Sequence, residues 1–81
     1  MNQKTATARL TEIAARIKEM REVMGWSKEE TAQKTQVSLQ EYNAFEGGTA
    51  DIPFSFIHKC SLVFEVELTE LLEGRTATLS S

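Results

Sequence analysis

The chain is short of several things that would hold or define other kinds of protein. Its single cysteine among 81 residues, Cys60, has no partner for a disulfide within the chain and cannot build a zinc knuckle, so packing has to hold the fold. One proline and four glycines leave long stretches without a breaker, unlike the punctuation of a fold made of short strands. No eighteen apolar residues run together, and the opening MNQKTATARL carries Lys4 and Arg9 but no apolar core. Neither a membrane span nor secretion is indicated, and a cytoplasmic location is expected by default. His58 is the only histidine, no glycine-rich phosphate loop is present, and five short helices leave little room for a deep cleft. No catalytic residue, metal ligand set or cofactor is therefore expected, and the chain does not read as an enzyme.

Positive charge is the remaining shortage. Nine Lys and Arg stand against twelve Asp and Glu, a net charge of −3 with an isoelectric point near 5.1, whereas chains that dock on nucleic acid usually carry a basic excess. The distribution is uneven. Residues 1–16 sum to +2, residues 17–48 to −2 and residues 49–81 to −3, which gathers the cations at the N-terminal end.

What is present is helical. Leu10, Ile13, Ala14, Ile17, Met20, Arg21 and Met24 recur at steps of three and four, one stripe down a helix of about four turns, with Gly25 placed to stop it. Ser27 with Glu30 and Ser38 with Glu41 then form two capping-box patterns eleven residues apart, each a helix start in which the serine oxygen accepts from an otherwise unpaired amide. The spacing predicts two short helices joined by a tight turn, the second ending at Gly47 and Gly48. Thr31 and Ala32 are the expected buried side of the first, and Tyr42 and Phe45 of the second. Pro53 suits the start of a fourth helix with a stripe through Ile57, Cys60, Ser61 and Phe64, and TELLE forms a short fifth that buries Leu71 and Leu72 and stops at Gly74. Trp26 is expected in the core. The stripe of the fourth helix does not obviously bury both Phe54 and Phe56, so one of them is either exposed, with Ile52 and Val63 in a patch for a partner subunit, or covered by the TADI loop.

Taken in order, Ile17 and Arg21 in the first helix, Gly25 and Ser27 before the second, Ala32 inside it, Val37 and Ser38 at the turn and the Phe45-Glu46-x-Gly48 ending resemble the XRE (Cro/C1, lambda-repressor-like) family over residues 10–74. The resemblance implies an all-α, five-helix DNA-binding domain whose helix-turn-helix is formed by helices 2 and 3, with a flexible arm at residues 1–9 and a tail or linker at 75–81. It implies a sequence-specific transcriptional regulator that binds double-stranded DNA as a homodimer, and an ion pair between Arg21 and Glu46 that fixes the reading helix. SLQEY, DIPFSFIHK and VELTELLEG further resemble the branch in which this domain precedes a cupin sensor barrel. On that likeness the protein is bacterial, and a small-molecule effector would act only through a C-terminal half outside this chain. The sequence departs from the family pattern at Gln36, where the turn usually has Gly, at Thr31, where Leu is common, and in a third helix without Arg or Lys.

Expected contacts follow from side-chain chemistry. Gln40 and Asn43 carry amides able to pair with adenine, and Leu39 and Ala44 can touch a thymine methyl; for each the alternative is an ordinary surface residue. Arg16, Lys28, Lys34 and Ser38 are candidates for phosphate, Lys28 and Ser38 because they lie at helix N-termini. Glu41 would repel phosphate and is read as a cap. The acidic balance leaves open a second function, the same fold as a protein-interaction module without direct DNA binding. A continuous positive strip through Arg16, Lys28 and Lys34 would favour DNA.

Overall fold

The computed structural model describes the backbone of residues 2–74 and the side chains of residues 10–74. Five helices follow one another: α1 (Asn2–Met24), α2 (Lys28–Thr35), α3 (Leu39–Gly47), α4 (Phe54–Phe64) and α5 (Leu68–Glu73). Among the described residues there is no strand. The expected tail at 75–81 lies outside them. From Asn2 to Arg9 the backbone is helical and continuous with α1, since no Pro or Gly interrupts NQKTATARL.

Each boundary has a local cause. The Ser27 side chain caps α2 by accepting from the Glu30 amide at 3.0 Å. At α3 the box closes in both directions, with the Glu41 amide donating to Ser38 Oγ at 3.0 Å and the Ser38 amide donating to Glu41 Oε1 at 3.1 Å. Gly48 ends α3 at φ +76°, a left-handed conformation that costs glycine nothing. The turn between α2 and α3 needs the same conformation from Gln36, at φ 63° and ψ 39°. A side chain is strained there by roughly 1–2 kcal/mol. Glu65 repeats the device at the end of α4, with φ 58°, and the sequence carries no glycine to announce it.

α1 packs against α3, α4 and α5, and α2 against α3 and α4. Ile13, Ala14 and Ile17 of α1 meet Ala32, Tyr42, Phe56, Ile57, Cys60, Phe64 and Leu71 in one core, with Ile52 closing it from the loop before α4. Two threonines are wholly buried in α2, and both hydroxyls are satisfied within the helix. Thr31 Oγ1 donates to the Ser27 carbonyl at 2.9 Å and Thr35 Oγ1 to the Thr31 carbonyl at 2.8 Å, which is how Thr31 stands where an aliphatic residue is usual without an unpaired buried hydroxyl. Phe56 is buried and Phe54 is 60% exposed, its ring stacked on His58. Ile52 is core, so the expected patch with Phe54 does not include it. Trp26 is half-buried and stacked on Phe64, ring centroids 5.6 Å apart. Cys60 is fully buried, and burial pushes its thiol up to about 12.

Candidate nucleic-acid interface

α3 has two unlike sides. Tyr42 is fully buried and Phe45 half-buried, its ring 4.6 Å from that of Phe56. At 100° per residue, Leu39, Asn43, Gly47, Gln40 and Ala44 share the opposite arc of about 140°. Gln40, Asn43 and Gly47 are exposed, Leu39 is 38% exposed, and Ala44 is half-buried at the edge. None of the five is charged. The side chains of Gln40 and Asn43 form no hydrogen bond with another described residue, so their amides face solvent with donor and acceptor both free.

A buried polar cluster holds this helix in place. Arg21 Nε donates to Glu46 Oε2 at 2.8 Å and Nη2 to Oε1 at 3.3 Å, a fork on both carboxylate oxygens. Nη1 donates to the Trp26 carbonyl at 2.9 Å, and the Tyr42 hydroxyl donates to Glu46 Oε2 at 2.6 Å. One guanidinium thus ties α1, the turn before α2 and the end of α3 together. The side chains are 11% and 4% exposed, where an ion pair is held by geometry and full hydrogen bonding rather than by surface attraction. Burial alone would raise the Glu46 carboxyl, but hydrogen bonds from Arg21 and Tyr42 outweigh it and hold it below the usual carboxylate range. The Tyr42 hydroxyl is driven upward by burial and by the adjacent carboxylate, and Arg21 is raised by its bond to Glu46.

The residues expected on phosphate are brought to different ends. Arg16 does not face outward: Nη1 donates to the Leu71 and Leu72 carbonyls at 3.0 and 3.1 Å, capping the C-terminal turn of α5, and Nη2 approaches Glu12 at 3.4 Å. A cation over helix C-terminal carbonyls is a stabilising arrangement, and it engages the Arg16 guanidinium within the domain. Lys34 is exposed but lies over the Trp26 ring, Nζ 4.6 Å from the centroid. Ser38 Oγ approaches Glu41 Oε1 at 3.2 Å, and a phosphate at that helix start would have to displace the carboxylate. Lys28 is exposed at the first position of α2, without a hydrogen bond or ion pair to another described residue, and near enough to Glu46 to help depress its pKa. Of the three cations on the expected positive strip, Arg16 is engaged by α5 and Lys34 by Trp26, and Lys28 has no partner among the described residues. Nothing in the local sequence around Arg16 announces its real partners, which lie 55 and 56 residues away.

Two short helices at a fixed angle, the second with a free outer face, match a known family over most of the chain: the profile of a helix-turn-helix domain covers residues 14–75. The chain belongs to the helix-turn-helix domain family. Within it the chain falls in the XRE-like group, in keeping with the all-α, five-helix lambda-repressor-like architecture. Comparisons with curated proteins and with solved structures returned no match. Among the described residues of this helix-turn-helix domain, no three His, Cys, Asp or Glu side chains gather as a metal site, and no helix is long and apolar enough to cross a membrane.

Proposed function

We propose that this helix-turn-helix domain is a sequence-specific, DNA-binding transcriptional regulator that docks α3 in a major groove. The observation that carries the reading is the free arc of Leu39, Gln40 and Asn43 on a helix fixed from behind by Arg21, Tyr42 and Glu46. Side chains that read base edges must be exposed and carried on a well-held backbone, and the exposure of these three on a braced helix supports the reading. Lys28, with the α2 N-terminus behind it, is the phosphate contact the geometry leaves available. Regulation of this kind calls for a homodimer on two half-sites, and Phe54 and Leu62, 60% and 63% exposed on one side of α4, are exposed apolar residues available to support it, as is Val23 on α1 at 73%. A cytoplasmic site of action is part of the same proposal, as is an effector acting only through sequence beyond this chain. No catalytic role is proposed.

The test is fluorescence anisotropy of the chain on duplex DNA across a salt series. Counting Lys28 and the two cations that the sequence gathers at its N-terminal end, Lys4 and Arg9, the slope of log K against log salt is expected to be no steeper than about −3 per chain. Absence of binding at low salt, with the chain folded, refutes the proposal. It would leave the protein-interaction reading, which the acidic balance and the exposed Phe54 and Leu62 favour.

A further inference from the structure

We propose that the half-site selected by this chain is built of A·T pairs, with adenines read by Gln40 and Asn43 and a thymine methyl read by Leu39. The inference rests on the reading of α3 as the groove-docking helix and concerns what that helix can discriminate.

The major groove presents each base pair as a distinct set of donors, acceptors and methyl groups, and side chains select among them by matching chemistry. Guanine is selected most often by Arg or Lys, and α3 contains neither; Lys28 lies on α2, off the arc. Cytosine offers an amino group to a carboxylate. The exposed carboxylate of α3, Glu41, is turned back on its own helix start, with Oε1 accepting from both the amide and the hydroxyl of Ser38. Glu46 is buried under Arg21 and Tyr42. Both chemistries that favour a G·C pair are thus missing from the arc or already engaged. Two amides and one exposed leucine remain, and these match adenine and thymine.

The layout suits such contacts. Leu39 and Gln40 are the first two residues of the helix and Asn43, its midpoint, stands one turn on, so all three lie toward the N-terminal side that reaches base edges in this kind of docking. Further along the same arc Gly47 has no side chain, and an added Cβ there would meet nothing within 4 Å. The last turn of the helix therefore sets no bulk between its backbone and the DNA. Apolar and amide contacts act only at close range, which makes that access useful to a helix without cations.

The experiment selects randomised duplexes on the 81-residue chain at low salt, then measures the enriched duplex by anisotropy against single-site changes. Enrichment of A·T pairs at the contacted positions is expected. Gln40→Ala and Asn43→Ala should each cut discrimination at one pair by roughly 5- to 150-fold while leaving the thermal melt unchanged, since both side chains are exposed. Replacing one thymine by uracil should weaken binding by the parent chain but not by Leu39→Ala, because only the methyl is removed. A consensus defined by G·C pairs overturns the inference, and so does binding without enrichment; both leave groove docking standing. Failure to retain any duplex overturns groove docking and the inference with it.

Discussion

Replacing Glu46 by alanine should be among the most damaging single changes in this chain. Three donors converge on its carboxylate: Arg21 Nε and Nη2, and the Tyr42 hydroxyl. With the carboxylate gone, Arg21 keeps the Trp26 carbonyl and a 4.0 Å ion pair with the exposed Glu22, and a guanidinium 11% exposed loses its buried counter-charge. Breaking a buried pair from one side costs about 3–5 kcal/mol. A domain of this size is stable by only about 4–12 kcal/mol in total, so a quarter or more of its stability is at stake. In a thermal melt followed by circular dichroism the loss should appear as a fall of at least about 12 °C. Arg21→Ala should fall by a similar amount, through loss of the partner of a buried carboxylate. The combination of Arg21→Met with Glu46→Leu should recover most of the loss, because an apolar pair leaves no charge behind. A coupling energy below about 0.5 kcal/mol in that double-mutant cycle would refute the account of the cluster as one linked unit. The pH dependence gives an independent check. The folded state lowers the Glu46 carboxyl below its ordinary value of 4.5, so its contribution is complete above that pH and is lost as the pH falls through the lower, folded value. Glu46→Gln should therefore remove part of the acid sensitivity of the parent chain.

Tyr42 is the only tyrosine, and burial with the neighbouring Glu46 raises its hydroxyl from the ordinary value of 10.0; tyrosinate absorbance in an alkaline titration should stay flat through that pH and rise only together with unfolding. Gln36→Gly should stabilise the domain by about 1 kcal/mol, read from urea denaturation, because it removes the left-handed strain of the turn; a loss of stability would show that the Gln36 side chain contributes more than its backbone costs. Arg16→Ala should lower stability by about 1–2 kcal/mol through the loss of charged hydrogen bonds to α5, with DNA affinity per folded molecule unchanged, and a selective loss of affinity would restore Arg16 to the phosphate contacts.

Helix starts and stops were legible because their causes act over three or four residues. Ser27, Ser38 and Gly48 do in the fold what their local chemistry implies, and the stripe of α1 buries Ile13, Ala14 and Ile17 as its period requires. The left-handed residues Gln36 and Glu65 were less legible, since any residue can be forced into that conformation when the helices on either side are held by packing. The free face of α3 was visible as a list of uncharged residues, but its freedom was not, because exposure depends on what the rest of the chain covers.

The sequence by itself determined five helices, the caps at Ser27, Ser38 and Gly48 and the membership of a helix-turn-helix family, since periodicity and these caps are local properties of a chain. Only the tertiary structure decided which cations remain for a ligand. Arg16, Lys34 and Lys28 look alike in one dimension, yet one caps α5, one lies over Trp26 and one is left in solvent. Long flexible side chains take partners from whichever element packs within reach, and for Arg16 that element lies 55 residues along the chain.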